Sequence, residues 1–270
     1  MTLFSGRAPG KGEIIMLSFF ANPEHFRKLA RWLEPPLMVL GLGGIIIGLG
    51  AGLFMAPPDY QQGDAARIMY VHVPAAWMGM FAYMFMAVAS LINFVWRHNL
   101  ADSAARAAAP LGAAFTFLAL VTGALWGKPM WGAFWVWDAR LTSMLVLFFI
   151  YLGLIALRSI VPDEARAARL VAIATMVGAI NIPIIKFSVD WWSSLHQGSS
   201  VFVAGGPKIA PSMLWPLLVA AIGYTALFGW LVLVQMRTGL DRHRIMRLQR
   251  RLAGARVSRP AEPQKDISHG

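Results

Sequence analysis

The chain has 270 residues, of which 57% are hydrophobic and only 14% charged, whereas soluble domains average about 45–50% apolar and about 25% charged. That balance excludes an ordinary soluble enzyme and places the chain in the membrane class. The formal net charge of +11 raises nucleic acid as a partner, but the positions of the cations, given below, assign them to a membrane surface instead.

Residues 1–15 read as a loose extension. The stretch "MLSFFANPEHFRKLARWLEPP" that follows, residues 16–36, is short and of mixed polarity, as expected of a segment lying along a membrane surface. "GRAPGKG" in the extension resembles a phosphate loop only superficially, since its Gly-to-Gly-Lys spacing is one residue short and no Ser or Thr follows the lysine. ATP hydrolysis by that route is excluded. A helix needs about 20 apolar residues to cross the roughly 30 Å hydrocarbon layer, and six runs approach that length, at about 37–56, 74–96, 108–126, 141–157, 168–186 and 212–236. They are continuous, unlike the alternating ten-residue segments of a transmembrane barrel, so helices are expected.

The first run has no small-residue cleavage site behind it and reads as a retained anchor. It carries Gly41, Gly44, Gly48 and Gly52, a stripe that lets another helix approach closely, whether from the same chain or from a separate subunit. Ionisable residues are nearly missing from the spans, which argues against a proton-coupled transporter. Of the 24 Lys and Arg, 19 fall in alternate non-membrane segments that begin with residues 1–36 and end with the tail. Arg67, Lys128, Arg140, Lys186 and Lys208 fall on the opposite side. Positive-inside bias then puts both termini in the cytoplasm. The expected architecture is an all-α membrane protein: a cytoplasmic and interfacial region over 1–36, a six-helix transmembrane domain over 37–236, and a basic cytoplasmic tail over 237–270. Outer loops are expected at about 57–73, 127–140 and 187–211. The tail reads as a lipid-headgroup anchor, disordered after Pro260, and no nucleic-acid partner is expected.

The outer side is unusual. Trp77, Trp126, Trp131, Trp135, Trp137, Trp191, Trp192 and Trp215 map there, against Trp32, Trp96 and Trp230 inside, and an interfacial aromatic belt would be more symmetric. The segment "WGKPMWGAFWVWDARLT", residues 126–142, places four of these indoles beside Asp138 and Arg140. Gly127, Pro129 and Gly132 suggest turns where the chain leaves the third span. Asp138 has two readings that stay open here, the N-cap of the fourth helix or a part of a site.

Four of the six histidines, His25, His98, His243 and His269, fall on the cytoplasmic side or in the tails. The other two flank the tryptophan segment. "YVHVPAAW" places His72 at the first turn of the second helix, with the residue before Pro74 extended. "WWSSLHQGSS" places His196 four residues after Trp192, where one helical turn would lay the indole on the imidazole. Zinc would need carboxylates such as Asp138 or Asp190 recruited to these two rings. Copper favours thiolate or thioether help, and the 15 methionines are spread through spans expected to face lipid. Haem fits better: its iron takes two axial imidazoles, its flat ring wants apolar cover, and its propionates want cations such as Arg140, Lys128 or Arg67. Burying one porphyrin face, on the order of 200 Å², contributes a few kcal/mol. The absence of cysteine suits a site that must release its haem, because no thiol is present to add to the vinyl groups.

These residues resemble the tryptophan-rich WWD signature of haem-handling membrane proteins. With "YVHVPAAW" and "WWSSLHQGSS", the segment from Trp126 to Thr142 is similar to the CcmC family of cytochrome c maturation, over roughly residues 30–240. The resemblance implies that His72 and His196 are the axial ligands of haem b, iron protoporphyrin IX. It also implies that the segment from Trp126 to Asp138, with Trp126, Trp131, Trp135, Trp137 and Asp138, holds haem on the periplasmic side of the bacterial inner membrane; Arg140, just beyond it, is expected to pair with a propionate. It further implies delivery of haem to the membrane-anchored chaperone CcmE, and association with the ABC transporter subunits CcmA and CcmB and the single-span subunit CcmD. Such a role is haem delivery rather than enzymatic catalysis in the strict sense. Two rival readings remain, a larger cytochrome c synthase subunit with the same signature and a secondary transporter of an amphipathic solute.

Overall fold

The computed structural model describes residues 22–192, 194–196, 198 and 200–257. The expected loose extension with its "GRAPGKG", the start of the interfacial stretch and the tail beyond Pro260 lie outside the described residues. Among the described residues seven α-helices follow one another: α1 (Pro23–Gly50), α2 (Met69–Trp96), α3 (Asn99–Trp131), α4 (Ala139–Ile160), α5 (Glu164–Gly178), α6 (Asn181–Trp191) and α7 (Pro211–Val257). A π-turn at Ala51–Met55 closes α1, and a 3-10 turn at Asp64–Ile68 leads into α2. They form six segments long and apolar enough to cross a membrane, α5 and α6 together making the fifth. The chain is a multi-pass helical membrane protein.

Local chemistry sets the ends. Asn22 accepts from Glu24 N at 2.9 Å ahead of Pro23, and Asp163 accepts from Arg166 N at 2.6 Å ahead of α5. Arg97, with φ 52°, closes α2, and Gly132, with φ 76°, closes α3. Three expectations about boundaries change. Residues 23–36 continue the first span's helix through Pro35 and Pro36 instead of standing apart from it. Pro74 lies inside α2, so Val73 is helical and not extended. Only Gly132 makes the turn expected near the end of the third span: α3 runs on through Gly127 and Pro129. With no water to take up freed carbonyls, a helix in hydrocarbon keeps its ladder and tolerates a proline in its last turn.

α1 packs along α7, and the glycine stripe lies in that seam. A Cβ on Gly41 would come within 2.8 Å of Leu227 N, one on Gly44 within 2.8 Å of Gly223 Cα, and one on Gly48 against the backbone of Ala220. The stripe therefore serves a helix of the same chain. Arg27–Asp241 at 3.1 Å and Arg237–Glu34 at 3.0 Å join the far ends of these two helices, so the two ends of the described chain share one side. At that side Arg158 of α4 also grips Asp102 of α3 with two bonds of 2.8 and 2.6 Å.

The middle of the bundle is pinned by phenols. Tyr83 donates to Thr175 O at 3.1 Å, Tyr151 donates to Gly79 O at 2.8 Å, and their rings meet edge to face at 5.2 Å. Gly112 and Gly178 lack the Cβ that would collide with Tyr151 and Tyr83. Gly178 immediately precedes the break between α5 and α6, where Asn181 donates to Ser143 O at 2.8 Å.

The stripe can be tested against a glycine one residue away. A Cβ on Gly43 meets nothing within 4 Å, so Gly43→Ala should leave thermal unfolding in detergent unchanged or slightly raised, whereas Gly44→Ala should destabilise by about 1–3 kcal/mol. Equal melting temperatures for the two variants would contradict the seam.

Candidate functional site

At the end of the bundle opposite the Arg27–Asp241 pair, α2, α3, the start of α4, α6, the loop 57–62, described residues between Leu195 and Ala210 and the start of α7 enclose a cavity of about 770 Å³. Pockets of about 300–1,000 Å³ hold small ligands and cofactors. His72, Trp77, Trp126, Trp131, Arg140 and His196 are among the residues lining it, so the two histidines that flank the tryptophan segment in sequence share one wall-to-wall space.

His72 sits in the first turns of α2 with its ring against α3. Its Nδ1 lies 3.0 Å from Ala119 O and 3.2 Å from Thr122 Oγ1. A carbonyl can only accept, and the Thr122 hydroxyl already donates to Leu118 O at 2.7 Å. The proton is therefore assigned to Nδ1, which leaves Nε2 with its lone pair. Gly123 provides the room, since a Cβ there would stand 2.9 Å from the ring's Cε1. The Trp126 indole meets His72 edge-on at 5.6 Å and is itself held by Gln62, which accepts from its Nε1 at 3.0 Å.

His196 is held differently. α6 ends at Trp191 and Trp192 is extended, with φ −132°, so the indole expected on this ring through a helical turn is not Trp192. Trp131 is the partner, at 5.0 Å. Gly127 lets that indole fold back, for a Cβ there would lie 2.9 Å from Trp131 Cε3. His196 Nδ1 lies 3.0 Å from Asp138 Oδ2, which also accepts from Ser194 Oγ at 2.7 Å, while Asp138 Oδ1 accepts from Leu141 N at 2.7 Å. Both readings of Asp138 therefore hold, one for each oxygen: it caps α4 and it orients a histidine. An ionised carboxylate only accepts, so Nδ1 of His196 carries its proton and Nε2 does not.

Burial pushes the His196 pKa below the ordinary histidine value; Asp138 opposes that shift and Arg140 adds to it. Burial pushes the Asp138 carboxyl up, but the bonds from Leu141 N, Ser194 and His196 outweigh it and hold the group below its ordinary value. Both groups are thus kept in the forms the geometry uses at neutral pH, a neutral imidazole and a carboxylate.

The two rings are not level. His72 packs at Ala119 to Gly123 of α3, and His196 on Trp131 folded over Gly127, an offset on the order of 6–12 Å along that helix at 1.5 Å per residue. Trp135 and Trp137 do not line the cavity. They meet each other edge to face at 5.5 Å on the outer segment, with Trp137 77% exposed and Trp135 Nε1 buried without a partner.

The cations also redistribute. Arg140 lines the cavity and donates to Lys186 O at 3.2 Å. Arg67 is committed to Asp64 at 2.8 Å and to Leu53 O at 2.8 Å, fastening the π-turn to the 3-10 turn. Lys128 donates to Gly132 O at 3.0 Å and lies over the Phe134 ring. Lys186 and Lys208 line the cavity instead. The methionines are not mainly on lipid-facing surfaces: Met69, Met80, Met130, Met144 and Met213 line the cavity, where flexible thioethers adapt to an irregular or planar guest. Among the described residues no group of three or more His, Cys, Asp and Glu comes together, so Asp138 and Asp190 do not complete a zinc set with the two rings. Gln62, Thr122, Gly123 and Lys208 were not marked as site residues by the sequence; their only signal is nearness to the loops that carry the histidines.

The family model for CcmC, heme exporter protein C, matches residues 16–251. The chain is 55% identical over 232 residues to heme exporter protein C of Bradyrhizobium diazoefficiens, covering 85% of this chain and 87% of the relative. It is 47% identical over 221 residues to the protein of that name from Haemophilus influenzae, covering 82% and 90%, and 46% identical over 217 residues to that of Escherichia coli, covering 80% and 87%. A family model that spans most of the chain and relatives this similar over most of their length leave one conclusion: the chain belongs to the heme exporter protein C family, CcmC.

Proposed function

We propose that this protein binds haem reversibly at the periplasmic face of the bacterial inner membrane and hands it to the chaperone CcmE for cytochrome c maturation. One observation carries the reading: His72 and His196 each spend Nδ1 on an oxygen acceptor and line the same cavity, and Nε2 has no hydrogen-bond partner among the described residues. That is how a ligating imidazole is set up, its outer-shell bond choosing the tautomer and raising its basicity. Haem is the cargo, and His72 and His196 are its axial ligands. Trp126, Trp131, Trp77 and the methionines cover its ring. Arg140, with Lys186 and Lys208, faces its propionates, and Trp135 and Trp137 extend the aromatic surface outward. Ligation of one iron by both rings would require the offset between them to close, and His196 is the ring that no helix carries.

The family's name speaks of export, which accords with partnership in an ABC-type system, here CcmA and CcmB with the small subunit CcmD. The excess of Lys and Arg at the side shared by the ends of the described chain supports a cytoplasmic location for that side. The synthase-subunit and solute-transporter readings have no observation in their favour.

Protein purified from cells supplied with ample haem should show a Soret band that His72→Ala or His196→Ala abolishes or sharply weakens, and imidazole added to the corresponding Gly variants should restore it in part. Unchanged spectra in both Ala variants would remove the ligand assignment. A second test concerns protonation. Because the folded pKa of His196 is depressed, its ligating form is present throughout neutral pH and is lost only as pH falls below the ordinary value of about 6.5. An NMR titration of His196 in cargo-free protein should show its midpoint under that value; a midpoint at or above it would refute the arrangement.

A further inference from the structure

A second cavity lies at the opposite end of the bundle, remote from the histidines. It has a volume of about 530 Å³ and is formed by Glu24, Arg27 and Arg31 of α1 with residues 237–245 of α7. Five guanidiniums line it, from Arg27, Arg31, Arg237, Arg242 and Arg244, against the carboxylates of Glu24 and Asp241.

The arginines fall into two groups. Arg27 is bound to Glu24 at 2.7 Å and Asp241 at 3.1 Å, Arg237 to Glu34 at 3.0 Å, and Arg244 to Glu24 at 3.9 Å. These pairs build the walls. Arg31 and Arg242 make no ion pair among the described residues, although both line the same space. Arg27 is 8% exposed, and its Nε is buried without a partner. A buried donor left in this state costs free energy unless a ligand or water satisfies it.

Depth decides what would fill the space. The apolar part of α1 begins near Leu37 and that of α7 ends near Met236. Arg31 and Arg242 each lie six residues beyond those limits, about 9 Å at the α-helical rise, close enough to the lipid for a long side chain to span the difference. The headgroup layer occupies roughly 5–8 Å on each side of the hydrocarbon. Trp32, next to Arg31, is 74% exposed, as an indole at that level would be.

We propose that this cavity is a binding site for a phosphate diester, supplied by the headgroup of an anionic phospholipid on the side of the membrane that holds both chain ends. Arg31 and Arg242 grip the phosphate oxygens, since the guanidinium fork matches them in a way an ammonium does not. Arg27 supplies the buried donor, and Thr238 lies beside them for the glycerol hydroxyls. A bound lipid would bridge the first and last spans where their charged ends meet.

The test uses the full chain in detergent, with lipid retention followed by native mass spectrometry and by thermal unfolding. Dioleoyl-phosphatidylglycerol should be retained and should raise the melting temperature, while dioleoyl-phosphatidylcholine should do neither. Each arginine near a lipid surface contributes about fivefold, so Arg31→Gln with Arg242→Gln should weaken retention by about tenfold or more, and both residues are exposed and unpaired enough to leave the fold intact. Saturation by inorganic phosphate at the same concentration would keep the phosphate site and overturn the lipid as its occupant. Equal retention of the two lipids, or no loss in the double variant, would overturn the proposal itself.

Discussion

The two oxygens of Asp138 join the scaffold to the site. Oδ1 ends the unsatisfied backbone at the start of α4, and Oδ2 gathers Ser194 and His196 from the other side of an irregular segment. A helix cap is a geometrical constraint on its residue, because the carboxylate must point back along the first turn. The position of His196 is thus inherited from the position of α4. A carboxylate free to rotate would set neither the tautomer of the ring nor its place.

His72 reaches the same chemical state by another route. Its acceptors are a backbone carbonyl and a hydroxyl of α3, groups whose positions are fixed by the helix itself, and the space for the ring comes from the missing side chain of Gly123. One imidazole is therefore mounted on two packed helices, and the other on an irregular segment held by the side chains of Asp138, Ser194 and Trp131. The two rings thus owe their places to different kinds of structure, one to helix packing and the other to side-chain bonds across a loop.

Much of this was legible in the sequence and some was not, for identifiable reasons. Six spans follow from hydrophobic length alone, because lipid admits few alternatives. The meeting of His72, His196 and the indoles of Trp126 and Trp131 at one end of the bundle follows from their places between those spans. The break in the fifth span was invisible: Gly178 to Asn181 continue an apolar run, and only the Tyr83 phenol from another helix explains the glycine. Gly127 looked like a turn and is a seat for an indole, since a missing Cβ serves either purpose and only tertiary contact distinguishes them. Arg67 and Lys128 lie away from the cavity lining because Arg67 is held by Asp64 and Leu53 O and Lys128 by Gly132 O, and the two backbone acceptors are groups that composition does not reveal.

The seam between α1 and α7 has a bearing on biogenesis. α1 is the first of the described helices to leave the ribosome and α7 the last, so the bare groove of Gly41, Gly44 and Gly48 and the charges of Arg27 and Glu34 stay unmatched throughout synthesis of everything between them. Contacts this distant along the chain form late. Until then the nascent anchor offers a slot shaped for any small-residue helix in the bilayer, and completion of the protein amounts to its own last helix displacing such competitors.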